Sequence, residues 1–368
     1  MEQNKKKYIQ AKEALIQLFH DKNYQNGQKI PTENEIIETT GFSRNTIRQA
    51  VMELQRDGVV RKEQGRGTFY ISQDNQEKTG RIGVINFFLN LSIYPNMVHG
   101  IEEVAWQEGY TLLPTNTGAG GEREIEAIDR IVAQGVDGII YEPSHDLEEK
   151  RVEEGTKVLN YFNKLNIPVV TTHFSLPSLE CSSVLIDDEM IGYNAVRYLH
   201  EMGHRNIGIF YIGDIRSGLS RTKGYEKAMK ELGLTINPQW EVATKTGEYD
   251  IPAGERNPNL CKVFMGEDRP SAVFCFNDEL AIILYEAARQ AGITIGKDLS
   301  VVGVDNTASA GVIHPGLTTF DHPKEYLGRW AAQALIQRIK NPAGPQFQLM
   351  FQSKLVKRES VADLTKAE

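Results

Sequence analysis

The chain has 368 residues, 40% hydrophobic and 24% charged, a composition ordinary for a soluble globular protein and a length too great for one ordinary core. No apolar run approaches the roughly 18 residues of a membrane span, and the first thirty residues lack the apolar stretch and cleavage site of a secretory signal, so a cytoplasmic protein without a membrane partner is expected. The three cysteines, Cys181, Cys261 and Cys275, form no CxxC and stand at no zinc spacing with histidine, which argues against a disulfide framework and leaves no metal or cofactor to expect.

The formal charge of −8 is unevenly spread. Residues 1–72 hold 12 Lys+Arg against 9 Asp+Glu, net +3, and the remainder is net −11. A basic head on an acidic body confines attraction for phosphate to one end. The head opens with Tyr8, Ala11, Leu15, Leu18 and Phe19 at helical spacing. Thr32 followed by Glu35, with Pro31 ahead, has capping-box spacing for a short second helix ending before Gly41. Ser43 caps a third helix through Arg56, closed by Gly58, and the runs from Val59 to Gln64 and from Thr68 to Ile71 flank a Gly65-Arg66-Gly67 tip.

In the third helix Ile47, Ala50, Val51 and Leu54 fall on one face, which leaves Arg44, Asn45 and Arg48 on the other with Thr46 beside them. Arg can bridge guanine O6 and N7, Asn can read adenine, and Thr can bond phosphate; the alternative is an ordinary solvated face. A helix, a Gly-containing turn, a second helix and a Gly-tipped hairpin make a winged helix-turn-helix, and Gln64, Gly65 and Arg66 at the tip suit backbone or minor-groove contact. The segments Ile30-Pro31-Thr32-Glu33-Asn34-Glu35, Ser43-Arg44-Asn45-Thr46-Ile47-Arg48 and Gln64-Gly65-Arg66-Gly67-Thr68-Phe69 resemble the winged-helix domain of GntR-type regulators. That resemblance implies DNA contacts at Arg44, Thr46, Arg48, Gln64 and Gly65, a phosphate contact at Lys7, and a preference-setting role for Asn45.

Residues 72–80 carry no apolar side chain and read as a linker between a DNA-binding domain of residues 1–71 and an effector domain of residues 81–368. Beyond it, Ile82–Phe88, Thr111–Thr115, Gly138–Glu142, Val169–Thr172, Ile207–Ile212, Ala272–Phe276 and Ser300–Val304 are strand-like runs alternating with amphipathic helices. This is the pattern of an α/β fold with parallel sheets, and its length implies two lobes. Ligands in such sheets sit at the carboxyl ends of strands. Those ends carry Asn90, Ser92, Tyr94, Asn116, Thr117, Glu142, His173, Asp214, Arg221, Asn277, Asp278, Asp305, Asn306 and His322, with Phe87, Phe174 and Phe276 among them. Amides, carboxylates, imidazoles and an Arg beside aromatic faces suit a sugar or polyol. Alternatives stand beside several of these: Asp278 reads as a helix cap, as do Asp187 and Asp188, Phe87 and Phe276 as core, and His204 as a packed turn residue.

Arg221-Thr222-Lys223-Gly224-Tyr225, Phe276-Asn277-Asp278-Glu279, Ser300-Val301-Val302-Gly303-Val304-Asp305-Asn306 and Leu317-Thr318-Thr319 resemble the effector domain of LacI/GalR-type repressors, itself similar to periplasmic sugar-binding proteins. The resemblance implies a two-lobed, periplasmic-binding-protein-like fold, with one lobe at about 81–175 and 320–343 and the other at about 176–319 and 344–360. It places sugar contacts on His173, Arg221, Asn277, Asp305 and His322, with Asp or Asn more usual where this chain has His173. Tyr94 and Glu142 join them from the strand-end reading. The pairing of the two domains, with Glu142-Pro143 and His322-Pro323, is similar to the arabinose-operon repressors of Gram-positive bacteria. It implies a homodimer on pseudo-palindromic double-stranded operator DNA, released by L-arabinose. A different sugar, a ligand acting as co-repressor, or a sugar-modifying enzyme are the alternatives. Against the enzyme, no GxxxxGK[ST] or HExxH occurs, and Arg123 stands where GxGxxG needs its third glycine, so no catalytic residue is assigned.

Overall fold

The computed structural model describes residues 2–22, 24–25, 27–56, 59–63, 65–70, 78–86, 93–117, 122–143, 157–163, 166–175, 181–246, 258–342 and 344–366. The chain divides into two compact units, the first running through Thr79 and the second beginning at Gly80. Among the described residues no helix is long and apolar enough to cross a membrane.

The first unit packs helices α1 (Glu2–Asp21), α2 (Glu33–Thr40) and α3 (Arg44–Arg56) against an antiparallel hairpin of β1 (Val60–Glu63) and β2 (Gly67–Tyr70). The capping box at α2 is present: Thr32 N–H donates to the Glu35 carboxylate at 2.7 Å, and Thr32 Oγ1 accepts from Glu35 N–H at 3.4 Å. The helix stops at Gly41, whose φ of 71° is a left-handed conformation that a side chain would strain. Ala11, Leu15 and Phe19 of α1, Ile36 of α2 and Ile47, Ala50 and Leu54 of α3 form one buried core with Ile30, Val59 and Val60. Lys29 bridges to Phe69 as a third, single-residue strand.

The second unit contains two six-stranded sheets. Its elements, in chain order, are β3 (Arg81–Asn86), α4 (Tyr94–Gln107), β4 (Thr111–Asn116), α5 (Glu122–Ala133), β5 (Gly138–Tyr141), β6 (Val169–Thr172), β7 (Ser182–Ile186), α6 (Asp188–Glu201), β8 (Ile207–Ile212), α7 (Arg216–Glu231), β9 (Glu241–Thr244), β10 (Ala272–Cys275), α8 (Asp278–Gln290), β11 (Ser300–Asp305), α9 (Ala308–Val312), β12 (Thr318–Asp321), α10 (Lys324–Lys340), β13 (Gln348–Phe351) and β14 (Leu355–Val356). One sheet has the order β13-β7-β6-β5-β3-β4 and is parallel throughout. The other has the order β14-β12-β11-β10-β8-β9, parallel except for its edge strand β14.

Strand membership moves the lobe boundaries expected at 175/176, 319/320 and 343/344. Strand β7 pairs with β6, so the first lobe continues through Ile186; β12 stays with the second lobe through Asp321; β13 returns to the first lobe through Phe351. The chain therefore crosses between sheets near Asp187, His322 and Ser353. Beyond residue 175 the chain returns as β7, a parallel neighbour of β6 whose backbone groups need the same ladder.

Each lobe backs its sheet with a helix pair in backbone contact. A Cβ on Gly192 of α6 would lie 1.9 Å from the carbonyl oxygen of Arg221, and one on Gly224 of α7 would lie 1.9 Å from that of Glu189. In the other lobe a Cβ on Gly100 of α4 would lie 2.2 Å from the Glu325 carbonyl oxygen, and one on Gly328 of α10 would lie 2.1 Å from that of Met97. Only glycine permits either approach.

Candidate nucleic-acid interface and effector site

On α3 the side chains of Arg44, Asn45 and Arg48 are exposed while Ile47, Ala50 and Leu54 are buried, as the periodicity requires. Arg44 is held in place from α2, its Nη2 donating to Asn34 Oδ1 at 2.8 Å. Thr46 is buried, with its Oγ1 2.8 Å from Ser43 Oγ, where the first turn of α3 uses its hydroxyls to satisfy the helix start. At the hairpin tip Gly65 has φ 76°, and Gly67, with φ 125°, leaves room for the Lys29 stem, whose Cε a Cβ would meet at 2.5 Å. Arg66 is exposed, ion-paired to Glu63 at 2.6 Å, with its guanidinium 5.7 Å from the Phe69 ring centroid. Lys7 is exposed on α1. Gln64, Gly58 and most of the 72–80 linker lie outside the described residues.

In the second unit strand ends bring most of the ligand candidates together. Glu142, directly after β5, is buried; its Oε1 accepts from Tyr94 OH at 2.9 Å and its Oε2 from Asn86 Nδ2 at 3.2 Å. His173 follows β6 with φ 54°, a left-handed conformation rare outside glycine. Its Nδ1 lies 3.1 Å from Glu142 Oε1, an ion-pair contact off the direction of the ring N–H. Its Nε2 lies 3.0 Å from Nε2 of His322, at the second crossover, so one ring donates and the other accepts. Burial pulls the His173 pKa down, but Glu142, helped by Asp188, outweighs it and the value is raised. His322 is held well below its ordinary value by burial, with His173, Lys324 and Arg221 adding to it, and is neutral. His322 Nδ1 has no hydrogen-bond partner among the described residues.

From the other lobe comes Arg221, buried on α7. Its Nε donates to Asp188 Oδ1 at 2.8 Å, its Nη1 donates to the Phe276 carbonyl, and its guanidinium stacks 4.3 Å from the Phe276 ring centroid. Asn277 follows Phe276, and its Oδ1 accepts the Leu280 N–H at 3.0 Å as the N-cap of α8. Asp278, expected to be that cap, sits one residue inside the helix; its carboxylate accepts from Thr319 Oγ1 at 2.5 Å and from Thr307 N–H at 2.7 Å. Asp188 is likewise no cap. Asp187 alone accepts the Met190 N–H, which frees Asp188 to pair with Arg221. A sequence signal existed in the doubled aspartate, since one carboxylate suffices to cap. Asp305 ends β11, buried, with φ 107°.

Other candidates are elsewhere engaged. Asp214 accepts from Thr246 N–H and Oγ1 at 2.9 Å, Thr117 Oγ1 donates to the Asn86 carbonyl at 3.2 Å, and Phe174 is buried under Arg216. Asn306 donates to Asp321 and accepts from Arg358, and His204 is buried against Ser271 as a packed turn residue. Phe87, Asn90 and Ser92 lie outside the described residues.

Burial pushes the Asp305 carboxyl up to about 7, against the pull of Arg221 and Lys324, and the Asp278 carboxyl up to about 6. An unfolded chain ionises both near pH 4, so between pH 4 and 7 the folded state holds more protons and stability falls as pH rises. An Asp305→Asn protein removes its share of that slope. Relative to the unsubstituted chain it should gain a few kcal/mol across that window, measured as urea midpoints at pH 4.5 and 8; parallel pH profiles would refute the assignment.

The constellation offers buried donors and acceptors from both lobes around an aromatic face, the chemistry of a polyhydroxylated ligand. Residues 7–69 match the family described as "Bacterial regulatory proteins, gntR family", and residues 196–361 match "Periplasmic binding protein-like domain". The chain is 31% identical over 367 residues to an arabinose metabolism transcriptional repressor of Geobacillus stearothermophilus, covering 97% of this chain and 98% of that one. A repressor of the same description from Halalkalibacterium halodurans is 30% identical over 91% of each chain. The crystal structure of a transcription regulator from Lactobacillus plantarum superimposes with TM-score 0.64 at 25% identity, over 77% of this chain and all of that one. The first two relatives are transcriptional repressors and the third is a transcription regulator. The chain belongs to the family of GntR-headed transcriptional repressors that carry a periplasmic-binding-protein-like effector domain.

Proposed function

We propose that this repressor controls sugar-utilisation genes, that its effector is L-arabinose, and that sugar binding releases it from operator DNA. The observation that carries the reading is the approach of Tyr94, Glu142 and His173 from one lobe, with His322 at a crossover, to Arg221 of the other, which also bears on Asp305; Asn277 is proposed to join them. A ligand touching both sets favours the closed arrangement, and that difference in affinity is what a switch requires. The full-length likeness to two arabinose metabolism repressors supports arabinose among the sugars.

In this reading residues 1–71 are the DNA-binding domain, 72–80 the linker and 81–368 the effector domain of a cytoplasmic protein. Arg44, Asn45, Arg48 and the tip residues Gln64, Gly65 and Arg66 meet bases or backbone. Lys7 meets phosphate, and Thr46, at the start of the recognition helix, contacts the DNA beside them. Two copies form a dimer whose paired heads read the half-sites of a pseudo-palindrome. Linkage requires operator and sugar to weaken one another by the same factor.

Calorimetry against L-arabinose, D-xylose, D-galactose and D-ribose, each with and without promoter DNA from the protein's own locus, tests this. Binding of L-arabinose alone, weakened by DNA, is the expected result. Equal affinity with and without operator would sink the inducer mechanism, and binding of another sugar instead would sink the choice of arabinose.

A further inference from the structure

Helix α10 begins with a lysine in an unfavourable place. Lys324 is the first residue after the Pro323 N-cap, at the positive end of a helix dipole where acidic residues are preferred, and it is buried. A buried ammonium needs full hydrogen bonding or an opposite charge. Lys324 Nζ donates to two main-chain carbonyls, that of Asp305 and, at 3.3 Å, that of His322. Those carbonyls flank the second crossover, one at the end of β11 and the other just beyond β12.

The chain at Asp305 is held in a conformation it would not adopt unaided. Asp305 and Asn306 are consecutive left-handed residues, with φ 107° and 48°. Such backbone persists where surrounding contacts over-determine it. Asn306 is fixed by Thr319 Oγ1 to its N–H at 3.3 Å, by Asp321 and by Arg358, whereas the Asp305 carbonyl is fixed by Lys324. The charged groups bearing on the Asp305 carboxyl are Arg221 from α7, Asp278 and Glu279 from α8, and Lys324 from α10.

We propose that Lys324 is a positioning residue for the sugar response: it aims the Asp305 carboxyl and the His322 ring into the site by holding their carbonyls, and it supplies part of the positive charge that Asp305 needs there. The inference rests on the reading of this site as the sugar pocket. Removing the ammonium takes the Nζ donor from the Asp305 carbonyl, leaves the His322 carbonyl only the Lys324 backbone N–H at 2.7 Å, and withdraws one of two cations from Asp305. The Asp305 carboxyl, now at about 7, then titrates at higher pH.

The experiment compares Lys324→Met and Lys324→Arg with the unsubstituted full-length protein. Calorimetry with L-arabinose at several pH values between 6 and 9 should show about tenfold weaker binding in Lys324→Met, a pH profile displaced upward, and recovery of most of the affinity in Lys324→Arg. A purely structural lysine would not displace the profile. If Lys324→Met does not fold, the Lys324→Met/Asp305→Asn double variant, which no longer buries an unbalanced carboxylate, should fold; its failure to do so overturns the electrostatic link. Carbon-13 spectra of aspartate-labelled protein follow the Asp305 titration without any sugar. An unchanged titration in Lys324→Met overturns the proposal, while a displaced titration in a protein that binds none of the four sugars supports it and rejects the sugar reading alone.

Discussion

An Arg221→Met protein will bind operator and fail to leave it when sugar is added. Arg221 combines three interactions in one side chain: an ion pair to Asp188, a hydrogen bond to the Phe276 carbonyl and stacking on the Phe276 ring. Methionine keeps much of the stacking volume and loses the rest. Breaking a buried pair by removing one partner costs about 3 to 5 kcal/mol, mostly through the charge left behind. If that charge belongs to the sugar site, sugar affinity should fall by about a hundredfold or more. Gel-shift titration with increasing L-arabinose reads the release, and an Asp188→Asn protein, with the pair neutralised from the other side, separates lost sugar contact from lost fold. Release of Arg221→Met at the ordinary sugar concentration would remove Arg221 from the site.

Gly192→Ala should destabilise the second unit by about 3 kcal/mol and weaken sugar binding with it. The added Cβ would stand 1.9 Å from the Arg221 carbonyl oxygen, and neither partner is a flexible side-chain end: one is α6 backbone and the other α7 backbone. The helices must separate, and Asp188 at the start of α6 then moves away from Arg221 on α7. Thermal unfolding and calorimetry on the same sample check both effects. A protein of unchanged midpoint would mean that the two helices are not in contact in solution.

Much of this architecture is legible in the sequence where one physical rule acts alone. Thr32 and Glu35 announce α2 by spacing, Gly41 ends it, and the apolar face of α3 follows a period that burial bears out at Ile47, Ala50 and Leu54. Buried parallel strands such as β6 and β8 read as unbroken apolar or β-branched runs and begin and end where expected. Strands that meet a second demand are harder to read. β7 opens on Ser182-Ser183, β12 is Thr318-Thr319-Phe320-Asp321, and β13 and β14 are edge strands four and two residues long, so their composition does not separate them from loops.

The site follows the same division. Residue types at strand ends pointed to Glu142, His173, Arg221 and Asp305, because those ends converge whatever the details. The pairings of Asp188 with Arg221, Asn86 with Glu142 and Lys324 with the Asp305 carbonyl were not visible, since they join residues 33, 56 and 19 positions apart. The cap was misplaced by one residue, from Asn277 to Asp278, because both types cap equally well and only the backbone decides which comes first.

The four glycines that join α4 to α10 and α6 to α7 leave each lobe little room to deform internally. Helices locked backbone to backbone behave as stiff plates, and work done by a ligand on one face must appear at the joints between plates. Those joints are the crossings near Asp187, His322 and Ser353. A genetic screen for proteins that never release, or never bind, should therefore collect substitutions at two kinds of place outside the proposed DNA and sugar contacts: at the three joints, where the plates turn, and at the four glycines, where a plate is broken.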